Sequence, residues 1–129
     1  MTTATSIPED RPLTAREETL VGWLLKHGDP TAAAFIPQLS EARVVSRCYC
    51  GCGSIDFAIG AVVPPVDVRI HILSDYQWQE ADESRFGVFV FARSDQLAGL
   101  EVWSVDGQSA ASSLPEIEQL RPLVITRIA

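Results

Sequence analysis

No apolar run in this sequence reaches the ~18 residues that a membrane span requires. Cations are few: 10 lysines and arginines stand against 17 aspartates and glutamates, for a formal net charge of −7. Such a chain repels phosphate backbones and anionic bilayers, so neither nucleic acid nor membrane is an expected partner. Cysteine is scarce as well. Three in 129 residues is an odd number and too few for a secreted disulfide scaffold. Reduced thiols and a cytoplasmic location are the expectation. The first ten residues agree with it, because they lack a basic stretch followed by an apolar one. The common catalytic signatures are missing too: a Gly-rich phosphate loop, a Gly-x-Ser-x-Gly elbow, a His-Glu-x-x-His helix and an EF-hand loop. These absences lean the reading away from an enzyme.

What is present fits one soluble domain of ordinary composition, 47% hydrophobic and 21% charged. Residues 1–12 are polar and broken by Pro8 and Pro12, which reads as a mobile tail. Residues 13–129 then form a single α+β domain. Thr14 and Glu17 have the spacing of a capping box, and Leu20, Val21, Leu24 and Leu25 share one helical face. Gly28 can end that helix in the left-handed conformation. Asp29-Pro30 starts a second, short helix that Pro37 kinks or ends near Ile36.

The rest alternates as strands: 42–49, 54–59, 66–73, 85–93 and 97–105, with Leu123-Val124-Ile125-Thr126 as a last strand or as an apolar tail packed on the domain. In 66–73, Val68, Ile70 and Ile72 share one face, opposite Arg69 and His71. In 85–93, Phe86, Val88 and Val90 point one way and Phe89 and Phe91 the other, which predicts a central strand covered on both sides. The C-terminal segment or a second copy of the chain would supply the cover, so monomer and homodimer both stay open. Short turns make the sheet mostly antiparallel, with about five strands beneath two N-terminal helices.

One stretch carries the candidate chemistry. Cys48, Cys50 and Cys52 occupy every second position, with Gly51 and Gly53 interleaved. In a straight strand these thiols lie about 7 Å apart, too far to share one ion with Zn–S bonds near 2.3 Å. Bending at the two glycines would make them converge. They then become metal ligands, zinc being the natural ion, with a fourth donor from His27, His71 or Asp56. A redox pair is another reading, and the leading one is three small buried apolar side chains with glycine at a crowded turn. His71 beside one of these sulfurs, with Asp75 four residues on, would make a nucleophile constellation. A segment of aromatics and acids, Tyr76 to Glu83, suggests a protein interface built on Tyr76 and Trp78, with Trp103 on the sheet face. Helix-dipole stabilisation is the expected role of His27, in the last turn of its helix.

The run Arg47-Cys48-Tyr49-Cys50-Gly51-Cys52-Gly53-Ser54-Ile55, with Gly99-Leu100-Glu101-Val102 and Asp106-Gly107, resembles small bacterial proteins of uncharacterised function. In that group a Cys-x-Cys-Gly-Cys run follows a helical first third, and a Leu-Glu-Val strand ends in Asp-Gly. The resemblance implies a bacterial origin and no activity. In size, charge and layout the chain also looks like small acidic immunity proteins of bacterial toxin systems. The expectation is a non-enzymatic protein-binding domain. Its alternative is a metal- or thiol-dependent site at the three cysteines.

Overall fold

The structure, a computed structural model, describes residues 6–50, 52–107, 111 and 113–122. Gly51 and the strand expected at 123–126 lie outside them. The α+β architecture is as expected, but the sheet is larger. Its seven antiparallel strands are β1 (Ser6–Pro12), β2 (Ala42–Cys48), β3 (Ile55–Ile59), β4 (Ile70–Gln79), β5 (Arg85–Arg93), β6 (Gln96–Ser104) and β7 (Arg121–Pro122). Their order across the sheet is β1-β2-β3-β6-β5-β4-β7.

The expected tail is the first correction, because residues 6–12 form edge strand β1, paired with β2. Charges stitch it down. Glu9 meets Arg47 at 2.6 Å, Asp10 meets Arg43 at 2.9 Å, and Arg11 meets Glu17 at 2.8 Å. Pro8 and Pro12 are tolerated because an edge strand leaves some N–H positions unpaired.

Helix α1 (Ala15–Lys26) starts at the full Thr14–Glu17 capping box. Its apolar stripe of Leu20, Val21, Leu24 and Leu25 is buried against the sheet. Each such side chain contributes about 1.5–3 kcal/mol relative to exposure. Gly28 serves differently from the expectation: His27 caps the helix, and Gly28 has no positive φ. Instead a Cβ there would lie 2.2 Å from the Leu73 carbonyl oxygen, so glycine permits a close approach of helix end to β4. The second helix is 3₁₀ throughout Ala32–Glu41 and runs past Pro37 rather than ending near Ile36. That is long for this helix type.

β4 shows another departure. It begins at Ile70, not Val66, and runs on through the segment expected as a polar loop. A register shift between Ile72 and Ser74 inserts Leu73 into the core. The alternation therefore changes face. Ile70 and Ile72, read as an apolar face, stand on the outer surface at 37% and 42% exposure.

The core lies between α1 and the inner face of the sheet, where Val44, Phe57, Phe86, Val88, Val90, Leu97 and Leu100 are fully buried. β5 is interior to the sheet, as expected. Its inner residues are covered by helix. Its outer residues, Phe89 and Phe91, belong to a face that no helix covers among the described residues.

Candidate metal centre at the cysteine turn

Strands β2 and β3 form a hairpin whose end carries all three cysteines. The Cys48 N–H donates to the Ser54 carbonyl at 2.9 Å and closes the loop. Gly53 has φ of 100°, a conformation that side-chain-bearing residues avoid, and it turns the chain back into β3.

Ser54 anchors the turn to the rest of the sheet. Its buried hydroxyl accepts from the Val102 N–H at 2.8 Å and donates to the Val102 carbonyl at 3.1 Å. A side chain thus replaces a rung of the β3–β6 ladder, whose backbone pairs are Ile55–Leu100 and Asp56–Gly99. Sequence reasoning missed this residue, and serine beside a glycine turn carries no signal for it.

The bend brings the sulfurs together, all within 4.8 Å of one another. Cys48 and Cys50 Sγ lie 2.9 Å apart, and all three thiols are free. Tetrahedral zinc with Zn–S near 2.3 Å places its sulfurs about 4 Å apart, so the 4.8 Å limit suits one ion once Cys48 and Cys50 Sγ spread from 2.9 Å by about 1 Å. Cys50 is exposed, while Cys48 and Cys52 are half-buried.

The Cys50 and Cys52 thiols titrate together. Hydrogen bonds with Cys48 and then Cys52, helped by burial, push Cys50 up to about 12. Burial opposes ionisation of Cys52 as well. Hydrogen bonds from Cys50, from Ser54 and from Cys48 outweigh it and hold this thiol below its ordinary value. Of these two thiols, Cys52 gives up its proton first.

The fourth donors expected from sequence do not join. His71 Nε2 pairs with Asp29 Oδ2 at 3.0 Å, at the far side of the sheet. β4 stands three strands from β3 in the sheet order, which is about 14 Å at the usual strand spacing. That distance also removes the Cys–His nucleophile. His27 stacks on Trp23 with centroids 4.0 Å apart, and its Nδ1 lies 2.8 Å from the Trp23 carbonyl. Asp56 accepts from Ser46 Oγ at 2.6 Å. Among the described residues the cluster consists of Cys48, Cys50 and Cys52 alone.

The expected interface residues separate. Trp78 is 2% exposed and packs on Phe86 in the core, which corrects its assignment to the surface. Tyr76 is half-buried, and its hydroxyl donates to the His27 carbonyl at 2.9 Å, tying β4 to the end of α1. Trp103 is half-buried on the outer sheet face. No helix of the described residues is long and apolar enough to cross a membrane. Comparison with family models, with curated proteins and with solved structures finds no match to this chain.

Proposed function

We propose that the chain is a metal-binding domain whose Cys48, Cys50 and Cys52 hold one thiophilic ion, zinc being the natural candidate. The observation that carries this reading is the convergence of the three sulfurs within 4.8 Å on one short turn. Thiolate sulfur selects soft or borderline ions, which favours zinc or monovalent copper over magnesium or calcium. Three protein ligands leave one coordination position for water or for a donor on another molecule.

Binding must displace protons, because the ligating form is the thiolate. Affinity therefore rises with pH. It rises steeply at neutral pH, since the proton on Cys50 is held up to about 12 before the ion arrives. Titrating reduced protein with zinc against a chromophoric chelator should give one ion per chain. Cys50→Ser should weaken it by at least about 10–100-fold, the range that loss of a supporting ligand contact reaches. Cobalt substitution should give thiolate charge-transfer absorption that falls by a third in that variant. Three reagent-titratable thiols with no zinc uptake at pH 8 would sink the proposal.

A further inference from the structure

The outer face of β4, β5 and β6 has a construction that the metal centre does not use. Two glycines sit beneath two aromatic rings there. A Cβ on Gly87 would lie 2.2 Å from Cε2 of Trp103, and one on Gly99 would lie 2.7 Å from Cζ of Phe91. Each ring therefore lies flat on the neighbouring strand. One side of the ring rests on backbone and the other faces outward.

The two rings differ in what covers them. The Arg93 guanidinium stands over Phe91 at 5.7 Å, and Phe91 is 5% exposed. Trp103 is half-exposed, and among the described residues no cation stands over it.

Carboxylates lie along the row that holds this ring and Phe89. Glu101 lies two residues before Trp103 on the same face, directly across from Phe89. Asp75 is opposite Phe89 on the other side, and its buried Oδ1 has no hydrogen-bond partner among the described residues. Asp56 stands on adjacent β3. None of the three makes an ion pair among the described residues. Burial, and then the charge of Asp56, raises the Glu101 pKa, and burial raises that of Asp75. A shallow depression of about 420 Å³ is lined by Asp56, Phe89, Phe91, Arg93, Glu101 and Trp103, the Arg93 guanidinium being engaged over Phe91.

We propose that this face is the docking site of a protein partner that presents an arginine side chain, stacked on Trp103 and paired with Glu101 and Asp56. A planar cation suits an indole face, and a guanidinium fork suits carboxylates. Arg93 on Phe91 shows the same stacking within the chain. The net charge of −7 complements a basic partner and opposes nucleic acid, the other ligand that stacks on flat rings.

The test uses the whole chain and a peptide of six arginines alternating with glycine, read by amide and indole resonances at low salt. Shifts should centre on Phe89, Glu101 and Trp103. The Asp56→Asn/Glu101→Gln double variant should weaken binding about five- to thirtyfold. Glu18→Gln/Glu41→Gln changes net charge equally but alters helical residues on the opposite side, and should weaken it less than about twofold. A lysine version of the peptide should bind more weakly. Cys50→Ser should bind the peptide as the unaltered chain does, so failure of the metal proposal leaves this one standing. Equal losses in both double variants would reduce the attraction to net charge and overturn it. So would preferential binding of single-stranded DNA, or self-association that Trp103→Ala abolishes.

Discussion

Phe86, Val88 and Val90 leave β5 on one side of the sheet, and Phe89 and Phe91 leave it on the other. The same nine residues thus build two surfaces. The inner one is closed: α1 brings Leu20, Val21, Leu24 and Leu25 down onto Phe86, Val88 and Val90, and all of these are at most 2% exposed. The outer one is aromatic and open. Its rings are flattened onto Gly87 and Gly99, and Asp56, Asp75 and Glu101 make no ion pair among the described residues. A face that merely had to be soluble would carry solvated charges. This one keeps apolar rings and half-buried carboxylates side by side, which raises the cost of each charge.

Truncations on the two faces should separate them most widely. Phe57 is fully buried on the inner face. Phe57→Ala should cost about 3–5 kcal/mol, because the surrounding core cannot collapse into the hole. Phe89→Ala, from the half-buried outer row, should cost less than half of that. Urea midpoints at neutral pH measure both. Equal losses would mean that the outer face is as closed as the inner one.

Placing the rings more sharply needs a smaller change. Gly87→Ala puts a methyl group 2.2 Å from the Trp103 ring, so the indole must lift. The expected loss is about 1–3 kcal/mol, with a shifted Trp103 indole resonance. In a Trp103→Ala background the same substitution should cost close to nothing. A cost that persists without the ring would place the strain in the backbone and remove the flat-ring geometry.

Much of this was legible beforehand, for physical reasons that differ by element. The capping box and the i, i+3, i+4 stripe of α1 are local patterns, so its start and buried face were plain. The bend at the cysteine turn was legible from Gly53, whose φ of 100° returns the chain to β3. The anchor of that turn was not, since Ser54 acts through a strand 48 residues away in sequence. β1 was hidden because it carries no hydrophobic alternation and is defined by its ladder and ion pairs with β2, a partner more than 30 residues away in sequence. Ile70 and Ile72 were assigned to the wrong kind of surface because one inserted residue, Leu73, reverses the alternation. Trp78 and Tyr76 were misjudged together, since an aromatic among acids has the same local sequence whether it faces solvent or core. Gly87 and Gly99 did carry a signal. Glycine inside a strand marks close approach, and each lies opposite an aromatic on the next strand.

The finest distinction between the surfaces is electrostatic and shows in pH dependence. Glu17 is buried at the start of α1. That burial opposes its charge, but the two Arg11 contacts at 2.8 and 3.0 Å and the Thr14 N–H at 2.8 Å prevail and lower its pKa. Its carboxylate therefore stabilises the fold above the unfolded value near 4.3, and the contribution is lost as pH falls through the lower folded value. Glu101 runs the other way. Its folded pKa is raised by burial and by Asp56, so the folded chain holds that proton more tightly. Stability then declines as pH climbs from about 4.3 through the folded value. At pH 7, Glu17→Gln should lose about 1–2 kcal/mol, a charged cap contact being removed. Glu101→Gln should gain a few tenths of a kcal/mol, within the range of surface substitutions. Both differences should shrink below pH 4, where the wild-type carboxyls are taking up protons too. If Glu101→Gln instead destabilises at pH 7, its charge already has a partner in the free chain, and the outer face has no unmet demand for a cation.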